Sequence, residues 1–178
     1  VLSLDLSLTA TGWAKSDGSS GVIAPPMKGY ERLAYILDRV INFAEKVDLI
    51  AIEGFAFGAK GDAMLQLAGL GTLVRFTLWE AKYTLVEIPP SNLKMFAAGS
   101  GNAKKDDVLG AAIRILSYAR NDHNEADALW LLEMTRAHYD GRELTAKQRQ
   151  ALSKIHWPAL TSAHGTPWDT PEKKENDA

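Results

Sequence analysis

The sequence has no cysteine, which excludes disulfides and thiolate metal sites and suits a reducing compartment. With only four histidines there is no His-rich set to hold zinc either. No apolar run approaches the roughly 18 residues that a membrane span needs. There is no basic excess: 20 Lys and Arg stand against 22 Asp and Glu, for a net charge of −2. That balance is a handicap for a nucleic-acid binder, because phosphate contacts reward Lys and Arg. The chain opens in Val1-Leu2-Ser3-Leu4-Asp5 with no basic segment ahead of an apolar one, so no secretory signal is expected and the expected location is the cytoplasm. Internal repeats are absent as well.

What is present is 178 residues, 46% hydrophobic and 24% charged, ordinary for one soluble domain with a sizeable core. We expect that domain over residues 1–158. Residues 159–178 form an expected disordered tail, Pro-, Thr- and charge-rich from His164 onward. The modest net charge hides segregation, since Lys94, Lys104, Lys105, Arg114 and Arg120 gather in one stretch. Clustered carboxylates would also lower the total, and bound divalent cations would reverse their sign locally.

Residues 1–8 alternate, with Leu2, Leu4, Leu6 and Leu8 against Ser3, Asp5 and Ser7, which predicts a strand. Turn-rich segments then separate a second strand at Gly12–Lys15 and a third at Val22–Ala24, which Pro25-Pro26 stops. Helical spacing takes over from Tyr30 to about Lys46. Leu49–Glu53 reads as a buried strand ending in an acid, and Phe55 to Gly61 as a Gly-rich loop. Asp62 is expected to cap a helix running to about Ala81, rich in small residues. Tyr83–Ile88 is a further strand, and Ser91 is expected to cap a short helix. Helices are expected at 103–118, 124–139 and 145–155. An antiparallel start followed by β–α alternation predicts an α/β domain, a mixed sheet flanked by helices.

Three acids stand out. Asp5 lies mid-strand, either on the solvated face of an edge strand or in a site where a cation neutralises it. Glu53 closes an apolar strand, where acids are well placed for ligands but can also simply face water. Asp127 follows Asn124 by one helical step, so the two share a face. Asp122 or Asn124 as helix cap, with Glu125 on the dipole, accounts for the neighbouring polar residues but not for Asp127, which lies beyond the first turn. Clustered carboxylates suit hard cations such as Mg²⁺, and two such ions can serve in-line phosphodiester hydrolysis.

These motifs carry a resemblance. Leu4-Asp5-Leu6-Ser7-Leu8-Thr9-Ala10-Thr11-Gly12-Trp13 resembles the opening strand and turn of RuvC Holliday-junction resolvases. Ala51-Ile52-Glu53 resembles the second acidic motif. Gly101-Asn102-Ala103-Lys104-Lys105 is similar to the basic loop-to-helix segment, and Ala126-Asp127-Ala128-Leu129 to the final acidic helix. The likeness spans about residues 2–137, and it includes members of phage as well as bacterial type. It implies an RNase H-like fold with a five-stranded mixed sheet, a homodimer, and nicking of four-way junctions and other branched DNA with Mg²⁺ or Mn²⁺, two ions per site. Asp5, Glu53 and Asp127 would be metal ligands, and Lys105 and Lys94 would stand near the scissile phosphate.

One departure is visible. Three residues before the last Asp, where the family carries another acid or a His, this chain has Asn124. Asn124 itself, Asp122 or Glu125 could complete the ligand set, or the chain could be an inactivated variant. Phe55 and Phe57 follow Glu53 closely and could stack on unpaired bases or pack in the core. Lys60, Lys94, Lys104 and Lys105 are the candidate phosphate contacts, with a solvated basic face as the bland alternative. The helix at 62–81 is the candidate dimer surface, with core packing as its alternative. Two other functions stand beside resolution: an RNase H-like nuclease for a different nucleic acid, and a non-catalytic junction-binding protein.

Overall fold

The computed structural model describes residues 1–55 and 61–160. Phe57, Lys60 and the tail from residue 161 onward lie outside the described residues. The strands are β1 (Leu2–Asp5), β2 (Thr11–Lys15), β3 (Ser20–Ile23), β4 (Leu49–Glu53) and β5 (Thr84–Ile88). They form one sheet in the order β3-β2-β1-β4-β5. The β1–β2 and β2–β3 pairs are antiparallel, whereas β1–β4 and β4–β5 are parallel. This is the mixed sheet expected from the sequence. Its helices are α1 (Gly29–Ala44), α2 (Asp62–Glu80), α3 (Pro90–Ala98), α4 (Lys105–Ile115), α5 (His123–Tyr139) and α6 (Ala146–Leu152).

The Leu–Ser alternation of β1 does not separate core from water, because all four residues of this central strand are buried. Leu2 and Leu4 join Ile36 and Val40 of α1 and Leu70, Val74 and Leu78 of α2 in one apolar cluster. On the other face Ser3 donates to the carbonyls of Ala14 (3.0 Å) and Ala128 (2.8 Å). A small hydroxyl therefore lets α5 lie directly on the sheet while its polar atom stays satisfied. The edge-strand reading of Asp5 is thereby corrected: β1 is the middle strand, and Asp5 is only 7% exposed.

A second cluster fills the α5 face. Leu49, Ala51, Val86 and Ile88 of the sheet meet Leu93, Phe96, Val108, Trp130 and Leu131. The Trp130 indole donates to the Val108 carbonyl at 3.1 Å, tying α5 to α4. Trp157 stacks on His138 with centroids 4.2 Å apart, and Leu160 packs against the same cluster.

Two expected caps fall elsewhere. Gly61, at φ 79°, occupies the N-cap of α2 without a side-chain bond, and Asp62 is the first helical residue. There its carboxylate still meets the helix dipole favourably. Pro89 precedes α3 and Pro90 opens it, so Ser91 lies inside the first turn; proline's fixed φ and missing donor suit that position. Helix α4 is also shorter than its pattern suggested, starting at Lys105 and stopping at Ile115.

A candidate active site where β1, β4 and α5 meet

Parallel pairing of β1 with β4 sets Leu2 against Ile50, Ser3 against Ala51 and Leu4 against Ile52. Asp5 and Glu53 come next on their strands, so they end the two central strands side by side. Side chains alternate along a strand, and both acids share parity with Ser3 and Ala51, whose face carries α5. Asp127 stands on α5 one residue before the Ala128 carbonyl that holds Ser3. Sheet register and one helix crossing bring the three acids to one corner.

The electrostatics report the crowding. Burial is the main force raising the Asp5 carboxyl well above its ordinary 3.8, and the charges of Glu53 and Asp127 add to it. The Glu53 carboxyl is also raised by burial, against the pull of Lys105 and Lys94. Asp5 and Glu53 are hydrogen-bonded, which raises the former and lowers the latter. Asp127 is pushed up to about 7, first by burial and then by Glu53, while Lys105 and Lys94 oppose the shift. Lys105 is exposed at the start of α4 and Lys94 is half-buried in α3, and both act on the corner.

The other candidates separate. Asp122 is the N-cap of α5, its Oδ1 accepting from the backbone N–H of Asn124 (2.9 Å) and Glu125 (3.0 Å); it also raises the Asp127 carboxyl. Glu125 is buried and faces β3, accepting from Ser20 Oγ (2.7 Å) and Tyr118 Oη (3.0 Å) and pairing with Arg120. Those partners occupy it structurally. Asn124 is half-buried on the first turn of α5. Its backbone carbonyl lies against Gly12, which pairs with Asp5 across the β1–β2 ladder. Lys104 is exposed just ahead of α4, its backbone N–H donating to Asp107 Oδ2 (3.0 Å).

Phe55 is 38% exposed and lies beside Glu53 at the mouth of a cavity of about 360 Å³ that Leu67, Gly71 and Arg75 also line. Arg75 went unnoticed in the sequence. It is the sole charge between Ala63 and Trp79 in an otherwise apolar helix, and that isolation was the available signal. Its guanidinium reaches the Glu53 carbonyl at 2.8 Å and Glu87 Oε1 at 3.0 Å.

Hard carboxylate oxygens, each with raised proton affinity, beside two lysines are a donor set that suits a hard divalent cation. Among the described residues, no three acids are drawn together closely enough to form a ready-made cage for one ion.

Over 143 residues the chain is 31% identical to the crossover junction endodeoxyribonuclease RuvC of Parasynechococcus marenigrum (strain WH8102), covering 72% of this chain and 92% of that one. Over 128 residues it is 37% identical to the protein of the same name from Synechococcus sp. (strain CC9605), covering 71% and 76% respectively. The chain belongs to the RuvC family. No family model matches it. The RuvC fold is also shared with the solved Thermus thermophilus RuvC structure, at TM-score 0.61 and 20% identity over 79% of this chain and 97% of that one. T. thermophilus RuvC in complex with Holliday junction substrate superposes at TM-score 0.62, with 22% identity over 78% and 94%. Among the described residues no helix is long and apolar enough to cross a membrane.

Proposed function

We propose that this chain is a structure-selective endodeoxyribonuclease that resolves four-way DNA junctions by metal-dependent hydrolysis. The observation that carries the proposal is the convergence of Asp5, Glu53 and Asp127 beside Lys94 and Lys105: burial raises all three carboxyls, and the charge of Glu53 adds to the rise at Asp5 and Asp127. The RuvC relatives are named for crossover junctions, and the T. thermophilus structure holds a Holliday junction substrate.

Asp5, Glu53 and Asp127 would hold the divalent ions, Mg²⁺ or Mn²⁺. When bound, such ions help activate the attacking water and stabilise the leaving oxygen. Asp5, the most buried of the three, would serve as a ligand in its charged form. Lys105 and Lys94 would place positive charge beside the phosphate as negative charge builds on its oxygens. Phe55, with one face open beside Glu53, would stack on a base freed at the junction centre. Asn124 could add a neutral amide oxygen. Phe57, Lys60 and Lys104 remain candidate DNA contacts.

A second copy of the chain would give two cutting sites for two strands. Leu65 (65% exposed), Phe76 (55%) and Trp79 (62%) on α2 support a homodimer, because apolar side chains this large and this exposed on one helix commonly mark an interface. Of the small residues of α2, Gly71 accommodates Phe55 and Gly69 faces open space. The domain would run through residue 158, in the cytoplasm.

The test is cleavage of labelled four-way junctions, linear duplex and structured RNA with Mg²⁺, with Mn²⁺ and with chelator across pH 7–9. Symmetric, metal-dependent nicks confined to the junction are expected. Cleavage of RNA instead would redirect the substrate, and tight junction binding without nicks in any metal would make the chain a binding protein.

A further inference from the structure

We propose that Arg75 is a positioning residue that fastens Glu53 and Phe55 to α2, holding the acid and the aromatic of the cutting site in a fixed relation. The inference rests on the nuclease reading above.

The guanidinium is committed in several directions at once. Nη2 donates to the Glu53 carbonyl at 2.8 Å, Nη1 to the Gly71 carbonyl at 3.1 Å, and Nε to Glu87 Oε1 at 3.0 Å. Its carbon lies 4.4 Å from the centroid of the Phe55 ring. The ring can come this near because residue 71 is glycine, where a Cβ would sit 2.6 Å from Phe55 Cε1. Gly54, between the two, donates its N–H to the Ile88 carbonyl at 2.8 Å. The chain from Glu53 to Phe55 is therefore clamped by β5 on one side and by Arg75 on the other.

A simple surface ion pair does not explain this. Arg75 is 13% exposed while Glu87 is 53% exposed, and a pair with so wet a partner contributes little. The other two donors go to main-chain carbonyls, which carry no net charge to neutralise. A planar fork can serve three acceptors and a ring face together, and the single ammonium of lysine cannot. Only Gly54 separates Glu53 from Phe55, which carries the exposed ring, so anything that loosens Arg75 moves both.

The test compares Arg75→Lys with Glu87→Gln, which leaves the bonds to Glu53 and Gly71 in place. Single-turnover cleavage at saturating junction and Mg²⁺ should fall between roughly tenfold and a hundredfold in Arg75→Lys, the scale expected for an ångström-sized misplacement. Junction affinity in Ca²⁺ should stay within about threefold, as a displaced rather than lost acid implies, and Glu87→Gln should cleave like the parent. Amide hydrogen exchange at Gly54 and Phe55 should quicken in Arg75→Lys and stay unchanged in β1. An unaltered exchange rate or an unaltered cleavage rate overturns the proposal. So does a parallel loss of affinity, which would make Arg75 a DNA contact, or a failure of Arg75→Lys to fold, which would assign it to the core. If the parent chain nicks no junction, the nuclease reading falls in that control, and the exchange measurement still decides whether Arg75 holds this segment.

Discussion

Gly12 of β2 lies so close to Asn124 of α5 that a Cβ on it would overlap the Asn124 carbonyl and come within 2.9 Å of the Glu125 nitrogen. The same glycine pairs with Asp5 across the ladder. It therefore sets how near α5, and with it Asp127, approaches the central strands. Gly12→Ala must push the helix away, and overpacking of this kind costs about 1–3 kcal/mol. A thermal melt should show that loss, and cleavage should fall further than the folded fraction does. Wild-type cleavage per folded molecule would mean that the helix position is not critical.

Asp5 should separate chemistry from binding. Asp5→Asn keeps the shape and removes the charge, so cleavage in Mg²⁺ should vanish while junction binding in a gel shift stays within a few-fold. Equal loss of both would give Asp5 a role in holding DNA.

The raised carboxyls make the metal-free fold sensitive to pH. Asp127 titrates at about 7 when folded, against an ordinary 3.8, so between these values the folded chain holds a proton that the unfolded chain has released. Its contribution to stability is full below pH 4 and is lost as the pH rises through 7. Asp5 and Glu53, raised as well, push in the same direction. Melts in chelator should therefore fall from pH 5 to pH 8, and Asp127→Asn should flatten that slope. Mg²⁺ should raise the melting temperature more at pH 8 than at pH 5. A rising slope in chelator would contradict the crowded-acid picture.

The apolar face of α2 makes a prediction about assembly. Phe76 and Trp79, with ring centroids 6.0 Å apart, are expected to be covered by a second copy. Phe76→Glu with Trp79→Glu should shift sedimentation from dimer to monomer and leave the circular dichroism spectrum unchanged. A parent chain that sediments as a monomer would leave this face for another partner.

Much of the fold was legible because three signals are strong here: the alternation of residues 1–8, the apolar run Leu49–Glu53, and the helical spacing from Tyr30 to about Lys46. The pairing of Asp5 with Glu53 was less so. Each acid had a bland alternative in isolation, and the β1–β4 register that sets them side by side is written in neither segment. Helix starts were misplaced where a backbone feature outweighed a side-chain cap, at Gly61 and at Pro89-Pro90. Arg75 escaped because hydrophobic patterning marks where a charge is unusual but not where its fork will reach. The close approach at Gly12 escaped for a similar reason: a glycine in a turn-rich segment looks like punctuation until the crossing helix is seen.

Side chains of β1 and β4 alternate, so a slip of one residue between these strands would turn Glu53 to the opposite face from Asp5. Residues 6–48, including the whole of α1, intervene between them, so the pairing joins acids far apart in the chain. A half-made or misfolded chain would carry the acids apart, and a cutting centre built on them would be missing. In a cell full of DNA, such a blade would stay sheathed until folding is complete.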